Sequence, residues 1–155
     1  MNKKPIHAKI LKALNISDDR YEHIVSYVTQ MIIDYRGNVD DILKEIPLNL
    51  KGNEKYFTMF IIGNSSSPSF SIINDEEREK FITSTANSLK ISEERTISLT
   101  DYVANTIIED IEKNHTPIVD TIKIVINGNF TETEKDYIMF LLGLALTSDY
   151  EEHAL

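Results

Sequence analysis

Four histidines, His7, His23, His115 and His153, are the side chains of this sequence best suited to proton transfer or metal ligation near neutral pH. None stands at metal-ligand spacing from another, and neither HExxH nor ExxH occurs. Surface or capping roles are therefore expected of them. Serine is plentiful, but no GxSxG elbow presents one as a nucleophile. The absence of cysteine excludes disulfides, zinc–thiolate sites and thiol nucleophiles. A phosphate loop would need glycines and a Lys followed by Ser or Thr, and that pattern does not occur.

Carboxylates stand in pairs: Asp40 with Asp120, Asp34 with Glu109, Glu54 with Glu134. Such a pair could hold a metal if the fold brought its members together. Without a matched histidine this is the weaker reading. Glu54 and Glu134 suit the first turn of a helix, where negative charge is favoured. Arg20 and Arg95 are the more curious pair, because a cation near a helix N-terminus opposes the dipole. Each follows two acidic residues, Asp18–Asp19 and Glu93–Glu94. A salt bridge to a carboxylate elsewhere in the fold is the favoured explanation. The alternative is an anionic ligand, which makes Arg20 and Arg95 the candidate ligand-binding residues. No catalytic residue, metal ligand or cofactor is assigned, and the chain reads as an unassigned protein leaning away from enzymes.

The pairs have a common origin. Residues 14–33, LNISDDRYEHIVSYVTQMII, match residues 89–108, LKISEERTISLTDYVANTII, at eight of twenty positions without a gap. Residues 39–63, VDDILKEIPLNLKGNEKYFTMFIIG, match residues 119–143, VDTIKIVINGNFTETEKDYIMFLLG, at ten of twenty-five. The connections differ: DYRGN (34–38) against EDIEKNHTPI (109–118), five residues longer. Loops tolerate such insertions. The expected organisation is one compact domain over 1–155. Its parts are a first helical repeat at 5–63, a Ser-rich linker at 64–74 and a second repeat at 75–146. Duplication also produces paired acids without any selection for a site.

Each repeat reads as several helices. Tyr21, Ile24, Val25, Val28, Met31, Ile32 and Tyr35 share one helical face, predicting a helix over 18–35. Ser17 and Ser92 are natural N-caps. Thr131 with Glu134 forms a capping-box pattern, and Asn53 is the candidate cap of the equivalent helix. Those last helices become apolar all round, as central helices do. The segment 117–127 looks strand-like alone, since TIKIVINGNF is β-branched and contains Asn-Gly. Its repeat partner looks helical, so a helix is expected there, with Pro117 in its first turn. Further helices are expected over 5–14 and 75–90. The fold class is all-α, two copies packed as a pseudo-two-fold bundle with the apolar helices at its centre. Gly63 and Gly143 are matched; close helix approach and a helix end explain them about equally well.

The net charge of −9 weighs against direct nucleic-acid binding, which depends on cations meeting phosphates. The one basic cluster, Lys3, Lys4, Lys9 and Lys12, reads as a solvated helix face. The start, MNKKPIHAKI, has no apolar run after its lysines, so no signal peptide is expected. The longest apolar run, 137–146, is far short of the roughly 20 residues a membrane helix needs. A cytoplasmic location and no membrane contact are the expectation. The leading functional reading is a helical protein-interaction or adaptor protein that binds a protein partner or itself, with Phe140 and Leu144 as candidate interface residues. The alternative is a small-ligand or metal-binding bundle, binding or enzymatic in role, with its site between the repeats. A third reading is regulation of a nucleic-acid machine through protein contact. A function acquired by one half is expected in unmatched parts: the connections, the 64–74 segment and the C-terminal TSDYEEHAL.

Overall fold

The apolar periodicities become helices. A computed structural model describes residues 3–46, 50 and 52–146, and no strand occurs among them. The C-terminal extension and His153 lie outside the described residues. Helix α1 (Pro5–Leu14) opens on a proline, whose missing N–H is no loss in a first turn. It buries Ile6, Ile10, Leu11 and Leu14 along one face. Helix α2 (Asp18–Asp34) is capped by Ser17, whose side chain accepts from the Arg20 N–H. The short α3 (Val39–Glu45) follows a tight turn and is capped by Asn38.

Helix α4 (Asn53–Ile72) is central and apolar, burying every residue from Tyr56 to Gly63. Its N-cap is Gly52 at φ +56, not Asn53. Asn53 lies inside the first turn, and its amide instead donates to the Leu14 carbonyl at 2.8 Å. The expected linker is also different: α4 runs on as helix through Ile72, with Pro68 inside it. Proline within a helix costs about 3 kcal/mol, so tertiary contacts must hold this turn. Ser67 donates to Leu144 O, Phe70 packs on Phe81, and Arg78 donates to the Phe70 and Ser71 carbonyls at the helix end.

Helix α5 (Asp75–Ser88) follows, then α6 (Glu93–Tyr102), capped by Ser92. Without a break, α6 passes into a π-helical turn (Val103–Ile108) and ends as α7 (Glu109–Lys113). The longer connection is thus taken up partly as extra helix. Helix α8 (Ile118–Asn127) confirms the helical expectation for 117–127, with Pro117 as the N-cap itself rather than inside the first turn. Helix α9 (Glu132–Ala145) begins with the expected Thr131–Glu134 capping box.

The most extensive contact is between α4 and α9, which run in the same direction, from Lys55 beside Asp136 to Ser67 beside Leu144. Their closest approach is at two glycines. A Cβ on Gly63 would fall 2.3 Å from the Phe140 carbonyl oxygen, and one on Gly143 would fall 2.2 Å from that of Phe60. Both distances are prohibitive, so close helix approach is the reason for these glycines. Phe57, Phe60, Tyr137 and Phe140 surround the crossing with no exposed surface, each contributing about 2–3 kcal/mol by burial. Helix α3 packs against α5, and α8 packs against α1. No described helix is long and apolar enough to cross a membrane.

Candidate functional site

Both candidate arginines are engaged. Arg20 grips Glu54 with two hydrogen bonds, Nε to Oε2 at 2.9 Å and Nη2 to Oε1 at 2.7 Å. Arg95 donates from Nε to Glu134 Oε2 at 2.5 Å. Each pair ties the start of α2 or α6 to the start of α4 or α9. The guanidinium hydrogen bond holds the Glu54 carboxyl below the usual range, and Arg95 does the same for Glu134. The pairs are partly exposed, and solvent screens them. Of the two candidate interface residues, Phe140 is fully buried against Phe81 and the α4 crossing, and Leu144 is almost fully buried.

Two polar features had no prominence in the sequence. Asp136, in the second turn of α9, has no exposed surface, and its Oδ2 lies 2.8 Å from Lys55 Nζ on α4. Burial raises its carboxyl to about 6, against the pull of Lys55. Tyr56 lies beside it, its phenol raised by burial and by the Asp136 charge. The residue 80 positions earlier is Tyr56, so repeat matching carried no hint of an acid here. The second feature is His7, which is buried rather than at the surface. Its Nδ1 is 3.1 Å from Tyr21 Oη, and its Nε2 is 3.4 Å from Asn64 Oδ1. Asn64 in turn donates to the carbonyls of Gly143 and Leu146. Burial lowers the His7 pKa, so the ring is neutral at pH 7.

An open, apolar groove of about 300 Å³ lies between α5, α6 and α9, beside the π turn. Phe70, Ile82, Val103, Ala104, Ile108, Leu141, Leu144 and Ala145 form it, and Thr100 is its one polar side chain. Thr100 is already occupied, bonding Tyr137 Oη at 2.8 Å and the Thr96 carbonyl. Burial pushes the Tyr137 phenol up to about 12, so it stays protonated. The groove therefore has no group able to take a proton from a substrate near neutral pH. It can bury apolar side chains. No group of three His, Asp or Glu residues among the described residues could hold a metal ion. The π turn had no signal in the sequence, because VANTII matches a stretch that is regular helix in the first half. Compared with known proteins, the chain matches no family model, no curated protein and no solved structure.

Proposed function

We propose that this chain is a protein-interaction module rather than an enzyme, and that the groove beside the π turn receives an apolar segment of a partner. The apolar groove is the observation that carries the reading. A groove between helices is a common seat for an amphipathic helix, whose side chains one turn apart enter it together. Leu144 is a wall of this groove and Phe140 supports it from behind, through the chain of rings Phe70–Phe81–Phe140.

In the same reading the chain is two tandem helical copies, 5–63 and 75–146, related by a pseudo-two-fold axis along the α4–α9 contact. Several observations support it. The glycine contacts are reciprocal, Gly63 on Phe140 and Gly143 on Phe60. The Arg20–Glu54 and Arg95–Glu134 pairs correspond. So do the packings of α3 on α5 and α8 on α1, each half's third helix covering the first helix of the other. A small-ligand or metal site between the halves receives less support. The crossing is filled by glycine and phenylalanine, and both matched arginines are spent on carboxylates.

The test is affinity capture from the native host with the intact chain and with Ala104→Glu. Ala104 is exposed at the groove, so a charge there leaves the core undisturbed. A protein held stoichiometrically by the parent chain, cross-linked to groove residues and lost from the variant, is the expected result. Equal retention by both forms, or capture of none, rejects the reading.

A further inference from the structure

A second depression, of about 240 Å³, lies between the α2–α3 turn and α4. Phe70 borders both it and the groove, but the two openings share no other residue. Its floor includes Ile42, Ile62 and Phe81, and its mouth carries Arg36, Ser65 and Ser69. No carboxylate lines it, in a chain whose net charge is −9. The chain has four arginines. Arg20 and Arg95 hold glutamates, and Arg78 holds Asp75 and two carbonyls. The Arg36 side chain forms no hydrogen bond or ion pair with the described residues. Ser65 and Ser69 are four residues apart on α4 and so share a face. Their hydroxyls also have no partner among the described residues, whereas Ser66 and Ser67 donate to Ile62 O and Leu144 O. Arg36 belongs to the short connection and the serines to the 64–74 segment, both unmatched between the halves.

We propose that this depression binds a small organic carboxylate, its anionic group held by Arg36, Ser65 and Ser69 and its compact apolar body seated against Phe70, Ile73 and Phe81. A guanidinium fork meets a carboxylate with two parallel hydrogen bonds, and neighbouring hydroxyls can donate to the same oxygens. A phosphate dianion fits less well, because only one cation is present to balance two charges. The volume lies below the usual range for drug-sized ligands, which restricts the occupant to a small acid.

The test is a titration of the ¹⁵N-labelled full chain with phenylacetate, followed by amide chemical shifts. Saturable changes confined to the lining of the depression, residues 32–42, 62–73 and the surroundings of Phe81, are expected. Arg36→Gln should weaken binding at least about tenfold, as loss of a charge-assisted pair does. The uncharged 2-phenylethanol should bind at least about tenfold more weakly for the same reason. Ser69→Trp should fill the depression and abolish binding without changing charge. Ala104→Glu should leave binding intact, so the proposal stands or falls separately from the groove. No saturable shift, equal binding of the alcohol, inorganic phosphate binding as tightly as phenylacetate, or an unaffected Arg36→Gln variant would overturn it.

Discussion

The two ends of the helical core are closed in different ways. Where α1, α2 and α4 meet, the key residues are His7, Tyr21 and Asn64, joined by hydrogen bonds that reach the carbonyls at the end of α9. Where α5, α6 and α9 meet, the positions 75 or 80 residues later are Ile82, Thr96 and Leu144. Ile82 and Leu144 cannot make directional bonds and Thr96 donates to the Ser92 carbonyl of its own helix start, while Thr100 and Tyr137 link α6 to α9. The π turn lies on this side alone. The first end is a filled polar clasp; the second is an open apolar groove. Segments matched in sequence thus carry unlike surfaces, and the difference is concentrated in a few side chains. The central contact breaks the match in the same manner. Lys55 faces the buried Asp136, whereas Lys135 donates to the Ile126 carbonyl.

That last contrast supports the largest expected effect. Lys55→Met would strand a buried carboxylate and cost about 3–5 kcal/mol at pH 7. Lys135→Met loses one hydrogen bond and should cost about 1 kcal/mol. Urea denaturation of both variants measures the gap, and equal losses would erase the asymmetry. Gly143→Ala forces two backbones apart, and about 3 kcal/mol of destabilisation is expected by the same assay, with a similar loss for Gly63→Ala.

Acidity separates the clasp from the centre. Burial lowers the His7 pKa from 6.5, so the stability it contributes is present above 6.5 and lost as pH falls through the folded value. Asp136 behaves oppositely. Its folded carboxyl takes up a proton near 6 and the unfolded one near 3.8, so its contribution grows as pH falls from about 6 toward 4. The full change is on the order of 2–3 kcal/mol. His7→Ile, which gives the clasp the aliphatic character of the groove side, should cost about 1–3 kcal/mol at pH 7 and leave the gain on acidification exposed. Asp136→Asn should leave the acid loss exposed. Denaturation midpoints at pH 7.5, 6 and 4.5 decide it, since parallel curves for the two variants would mean neither group titrates as described. The smallest effect concerns the corresponding left-handed caps Asn15 and Lys90, at φ 57 and 61. Lys90→Gly should gain about 0.5–1 kcal/mol and Asn15→Gly less, because Asn already tolerates this conformation.

Local signals were the legible ones. Ser17, Ser92 and Thr131 were readable as caps because a cap depends on its own side chain and the next three residues. The type of α8 was readable only through its sequence match to the segment beginning at Val39, since its β-branched residues favour a strand when read alone. Features set by distant contacts were not. Ser-rich composition and Pro68 spoke for a linker, but Ser67, Phe70 and Arg78 meet partners that make a helix there instead. Asp136 was not singled out, because nothing near it in sequence identifies Lys55 as its neighbour. His7 looked like a surface residue on a lysine-rich helix, yet its face of α1 turns inward. The arginines were legible as a pair and ambiguous in role, and the groove needed the π turn, which has no sequence code of its own.

The glycine crossing also bears on how the chain is made. Its contacting residues lie about 80 positions apart, as with Asn64 and Gly143, which are 79 apart. At ribosomal rates of about 5–20 residues per second, α4 is complete roughly 4–15 seconds before α9 is. During that interval the stretch 56–63 of α4, buried throughout in the folded chain, has no α9 to cover it. Long-range contacts of this kind slow folding, and uncovered apolar surface promotes aggregation. The nascent chain therefore presents this apolar stretch until the segment that covers it is made.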